Sequence, residues 1–120
     1  MQPPIRITFR QMEPSPAVEE RIRARAADLE RFHHHITDCH VVVHAPHHHQ
    51  KHGGIYHVRI DLAVPGSVIV VNREAGLEHA HEDVYVAIRD AFDAARRQLE
   101  DFSRRQRGAV KSHANSDEAM

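Results

Sequence analysis

Sulfur, aromatic rings and long apolar runs are all scarce in this chain, and each scarcity removes a class of protein. Cys39 is the one cysteine among 120 residues. An internal disulfide is therefore impossible, and a cysteine-based metal cage is argued against. Such thiol usage fits a reducing cytoplasm. Tryptophan is absent and aromatics make up 5% of the chain, so a core must be assembled mostly from Val, Ile, Leu and Ala. No apolar run approaches the roughly 20 residues that span a bilayer, and the N-terminus lacks the apolar segment of a signal peptide. A soluble, cytoplasmic protein is the expectation. The net charge of −1 with histidine neutral argues against a generic polycation for nucleic acid. No Gly-rich phosphate loop, nucleophile elbow or HExxH pattern occurs. The sequence thus points away from an enzyme, and it calls for no cofactor.

What is present fits one compact domain. The chain is 41% hydrophobic and 28% charged, within the globular range, with no internal repeat. We expect a domain over residues 1–110 and a flexible C-terminal tail over 111–120. The near-neutral total hides an asymmetry. Between Ala94 and Lys111 stand Arg96, Arg97, Arg104, Arg105, Arg107 and Lys111 against Glu100 and Asp101, while other acids cluster at Glu74, Glu78, Glu82 and Asp83. Thirteen histidines are the second anomaly, since imidazole gains charge on small changes near neutral pH.

The apolar pattern predicts six elements. Ile5, Ile7 and Phe9 alternate with Arg6 and Thr8, the period of a half-buried strand. Ser15-Pro16 reads as a helix start, with Ser15 capping free N–H groups and Pro16 in the first turn. Val18, Ile22, Ala26 and Leu29 then recur at helical spacing, Phe32 would extend that stripe, and the helix should end near His33. Ile36 to Ala45 holds the strand-prone run Val41-Val42-Val43. Tyr56, Val58, Ile60, Leu62 and Val64 alternate with His57, Arg59, Asp61 and Ala63, so that row should be buried on one face. Pro65-Gly66 makes a tight turn into an antiparallel strand over Ser67 to Val71. Val84, Ile88, Ala91, Phe92, Ala95, Leu99 and Phe102 mark a second helix from about Glu82 to Arg105, with Gly108 expected to stop it. The fold class is α+β, in the order β-α-β-β-β-α. It should be a four-stranded mixed sheet with both helices packed on one face, the first helix crossing between parallel strands.

Several of these residues together carry a family resemblance. Asp83-Val84-Tyr85-Val86-Ala87-Ile88, then Asp93, then Arg97-Gln98-Leu99 and a basic tail, resembles the second-helix signature of ribosome hibernation-promoting factors and ribosome-associated inhibitor A. Ile5-Arg6-Ile7-Thr8, the Ser15 helix start, and Leu29-Glu30 ahead of Val41-Val42-Val43 are similar too. The likeness covers roughly residues 5 to 107. It implies a non-catalytic protein that sits in the decoding channel of the small ribosomal subunit and silences translation under stress or in stationary phase. Basic side chains of both helices would meet ribosomal RNA there. Arg25, Arg97, Arg105 and Arg107 fall where such proteins are basic, and Arg89, Arg96, Arg104 and Lys111 are assigned by proximity. Ala94, Asp101, Ser103 and Asp28 depart from the pattern at positions often basic, which thins the RNA surface. Longer relatives add a C-terminal dimerisation or RNA-binding domain, and a chain stopping at Met120 is expected to lack that activity.

Blander and rival readings stand beside this one. Pairs such as Asp93 with Arg97, or Glu100 with Arg104, would make the arginines an ordinary solvated helix face. The cluster Arg104-Arg105-Gln106-Arg107 resists that reading because it looks uncompensated. His47, His48, His49 and His52, with His44 and His57 nearby, offer the alternative of a histidine-loop module for Zn, Ni or Cu. No carboxylate or thiol completes a defined site there, so no metal ligand is assigned. Tyr85 and Cys39 read as packing residues.

Overall fold

In the computed structural model, residues 5–45, 56–73 and 83–119 are described, with side chains over 5–45, 56–72 and 83–106. The elements are β1 (Ile5–Arg10), α1 (Pro16–Phe32), β2 (Asp38–His44), β3 (His57–Val64), β4 (Ser67–Arg73) and α2 (Val84–Ala119). The sheet order is β1-β2-β3-β4. β1 runs parallel to β2, with Ile7 beside Val41, while β2–β3 and β3–β4 are antiparallel. This is the β-α-β-β-β-α sandwich that the apolar periods predict.

Local chemistry explains where each helix begins. Ser15 is extended at φ −123°, and its hydroxyl accepts the Val18 N–H at 3.3 Å, satisfying a donor that has no intrahelical partner. Pro16 follows at the start of α1, where a missing N–H costs nothing. Asp83 does the same for α2, its carboxylate accepting the Tyr85 N–H at 2.9 Å. Between β3 and β4 the two-residue turn works because Gly66 sits at φ +83°, a conformation that a side chain disfavours.

Val18, Ile22 and Leu29 of α1 and Ala87, Ile88, Ala91, Phe92, Ala95 and Leu99 of α2 meet one face of the sheet. That face presents Cys39, Val41, Val43, Val58, Ile60 and Leu62, all at 2% exposure or less. The β3 row is therefore covered as expected. Among the described residues no helix is long and apolar enough to cross a membrane.

Three expectations change. The second strand is shorter than its apolar run, Asp38–His44, while the fourth is longer, reaching Arg73. Gly108 does not end α2, which spans Val84–Ala119. One glycine costs a helix only about 1 kcal/mol relative to alanine, good helix formers flank it, and no proline follows to remove an N–H. Phe32 does not join the α1 stripe in the core. It is 60% exposed, because at the last residue of α1 it lies beside Arg96 of α2 and not over the sheet.

Candidate nucleic-acid interface

The two helices cover one face of the sheet, so their outer surfaces carry most of the exposed arginine. Residues 84–106 of α2 hold five arginines against four carboxylates, and α1 holds four against four. This surface is rich in guanidinium yet nearly neutral in sum. Its geometry matters more than its total charge.

Successive residues on an α-helix are about 100° apart, and residues seven apart nearly eclipse. Arg89 and Arg96 thus share one side of α2, and Arg97 and Arg104 share another. In the first row, Arg96 faces α1. Arg96 lies 5.5 Å from the centre of the Phe32 ring and lines, with Arg25, Asp28, Phe92 and Asp93, a groove of about 170 Å³ between the helices. Arg21 closes the same seam nearer the N-terminus of α2, 4.8 Å over the Tyr85 ring, and Tyr85 is half-buried against the core as expected.

Ion pairing sorts the arginines further. Arg89 contacts Asp90 at 3.1 Å, and Arg96 reaches Glu100 at 3.2 Å. Arg104 reaches Asp101 at 3.0 Å, so the expectation of an uncompensated cluster fails at that residue. The expected pairs Asp93 with Arg97 and Glu100 with Arg104 do not form either; Glu100 takes Arg96 and Arg104 takes Asp101. Among the described residues Arg25, Arg97 and Arg105 make no ion pair. The side chains of Arg107 and Lys111 lie outside the described residues. The position of Ala94 is also informative: it is 4% exposed, within the core and not on the outer face.

Reading the sequence alone passed over Arg21 and Arg31. The second is 3.9 Å from Asp28 and 5.5 Å from the Phe32 ring centre. A cation next to an aromatic at a helix end was the available signal. Beside this ridge, His33 caps α1. Burial holds its imidazole below the usual pKa of histidine, Glu100 opposes that shift, and Arg96 and His34 add to it.

The histidine loop at 47–52 lies outside the described residues. Of its neighbours, His44 and His57 face each other across β2 and β3 with ring centres 5.9 Å apart, and the His44 ring also bonds the Gln11 side chain. Among the described residues no three His, Cys, Asp or Glu side chains converge to hold a metal. Cys39 is buried, and desolvation, reinforced by Asp38 and Asp61 and opposed by Arg6, pushes its thiol up to about 12. A thiol so held is neutral and inert at ordinary pH.

Comparison with known proteins gives the arrangement a context. Residues 5–107 match the family described as sigma 54 modulation protein / S30EA ribosomal protein. A ribosomal subunit interface protein from Coxiella burnetii shares the fold with a TM-score of 0.64 at 21% identity, covering 82% of this chain and 96% of that one. The N-terminal domain of Protein Y from Thermus thermophilus superposes with a TM-score of 0.65 at 22% identity, covering 85% and 99%.

Proposed function

Because this chain belongs to the sigma 54 modulation protein / S30EA ribosomal protein family, we propose that it is a ribosome-associated translational silencer. It docks on the small subunit in the decoding channel, where messenger and transfer RNA would otherwise lie, and holds the ribosome inactive under stress or in stationary phase. The family match over residues 5–107 carries this reading. The two arginine rows of α2 support it, because a rigid helix presents guanidinium groups at fixed spacing to RNA phosphates and 2′-hydroxyls. The buried, inert Cys39 thiol supports binding without nucleophilic chemistry.

Within that reading the outer row does the gripping. Arg97 and Arg105, free of ion pairs among the described residues, contact phosphate most readily. Arg104 joins them by exchanging Asp101 for RNA. Arg107 and Lys111 continue the series toward the C-terminus, Arg25 and Arg96 line the groove between the helices, and Arg89 lies on the Arg96 side of α2.

Sedimentation of the protein with purified small subunits across a salt series tests this. Changing Arg97, Arg104 and Arg105 to Gln alters exposed positions, so the fold should hold within about 0.5 kcal/mol. Binding should weaken, and the slope of log affinity against log salt should flatten by about one unit per lost phosphate contact. Inhibition of cell-free translation should fall in parallel. Wild-type affinity in the triple variant at every salt concentration would refute this surface.

A further inference from the structure

Phe32 stands between two depressions. On one side lies the arginine groove between the helices. On the other is a larger cavity of about 570 Å³ at the end of the sandwich, which also shares His33 as a wall. Ile36, Val64 and Leu99 give this cavity an apolar lining, Phe102 faces it, and three successive imidazoles, His33, His34 and His35, ring it. Phe32 is the one aromatic residue among the large hydrophobics left exposed within the described residues. Its ring has the guanidinium groups of Arg31 and Arg96 5.5 Å from its centre.

We infer that this cavity receives one unpaired RNA nucleotide, its base held by Phe32, Phe102 and the imidazoles, with its phosphate on Arg31 and Arg96. The composition matches that ligand part by part. Unstacked bases are held by aromatic faces and by imidazole or guanidinium planes, and imidazole nitrogens can meet base edges with donor or acceptor. A pocket of several hundred Å³ accommodates a group of this size. Cations at the wall shared by both depressions complement the phosphate that must leave the pocket with the chain. An apolar peptide side chain would use the lining but would engage neither the imidazoles nor the two arginines, which a phosphate would draw from their exposed pairs with Asp28 and Glu100. The inference rests on the ribosome-binding reading for its biological partner, and its test can fail separately.

The test uses the full chain with an unstructured nine-nucleotide oligoribonucleotide, and inorganic polyphosphate as a base-free control. Phe32→Ala, Phe32→Leu and Phe32→Tyr are exposed substitutions, and circular dichroism confirms their folding. NMR titration of wild type with the oligonucleotide should shift the Phe32 and Phe102 ring signals and the imidazoles of His33 to His35. Affinity should fall roughly tenfold in the Ala and Leu variants and hold in the Tyr variant, because stacking needs a π-face. The same order should appear in sedimentation with small subunits. If Leu binds as well as Tyr, or polyphosphate moves the same pocket signals, the pocket does not take a base and the inference is wrong. If all variants bind subunits and oligonucleotide like wild type, it fails while the ribosome reading stands. Oligonucleotide binding that depends on Phe32, in a protein that never sediments with subunits, would uphold the pocket and overturn the ribosome reading instead.

Discussion

The two faces of the sheet use the same strands for opposite ends. Toward the helices, Val41, Val43, Val58, Ile60 and Leu62 are completely or almost completely removed from water. One residue along each strand, the outward face presents Arg6, Thr8, His40, Arg59 and Asp61 in register. Arg6 bonds Asp38 at 2.8 Å, Thr8 meets His40 at 2.9 Å, and Arg59 bonds Asp61 at 3.0 Å. The inner face contributes stability by burial. The outer face holds its charges in short local pairs, which contribute little. What differs is not backbone geometry but what each side chain meets, and this assigns stability and surface chemistry to alternate residues of one strand.

The largest effect expected from this contrast lies on β3. Ile60→Ala should cost about 2–5 kcal/mol, through lost burial and the cavity left behind, whereas Arg59→Gln beside it should stay within roughly 1 kcal/mol. Urea unfolding measures both, and similar losses for the two would break the comparison. A pH series sharpens it next through Cys39 on the buried face. Burial raises its folded pKa to about 12, from about 9 for an exposed thiol. Its contribution is therefore fully present below pH 9 and is lost between about 9 and 12, as the unfolded thiol ionises and the folded one does not. A thiol reagent at pH 8 should leave the native protein untouched and label it only on unfolding. The smallest effect is on the outer face: a double-mutant cycle on Arg6 and Asp38 should return about 0.2–1 kcal/mol, shrinking as salt is added.

How far the sequence discloses these arrangements depends on whether a pattern is local. The β3 alternation and the Ser15-Pro16 start are local, and both predict what forms. Arg96 and Arg97 show where such reading stops. They are neighbours in the chain, yet the helix turns one toward α1 and the other away from it. Which arginine takes which side depends on the phase set by Ile88, Ala91, Ala95 and Leu99 against the sheet. Phe32 has the right spacing for burial but lies where the sandwich ends, and spacing alone carries no information about that boundary. At Gly108 a single-residue signal is outweighed by its neighbours. The pocket is a still larger step from the sequence, because His33 to His35, Val64 and Phe102 come from three separated segments.

The parallel pairing of β1 with β2 also shapes how the molecule assembles. β2, β3 and β4 follow one another in sequence and in the sheet, so their ladders close through neighbouring segments of chain. β1 has no such neighbour. Its Arg6–Asp38 contact spans 32 residues, and all of α1 lies within that loop. Closing the loop costs chain entropy before any β1 contact is gained, and long-range parallel pairing is intrinsically slow. The β2–β3–β4 hairpins should therefore form ahead of the β1 pairing, which waits on α1 to bring β1 alongside β2. β1 and β4 are both edge strands, but β1 is held through the longer loop, so its backbone amides should open to solvent more readily without the whole domain unfolding.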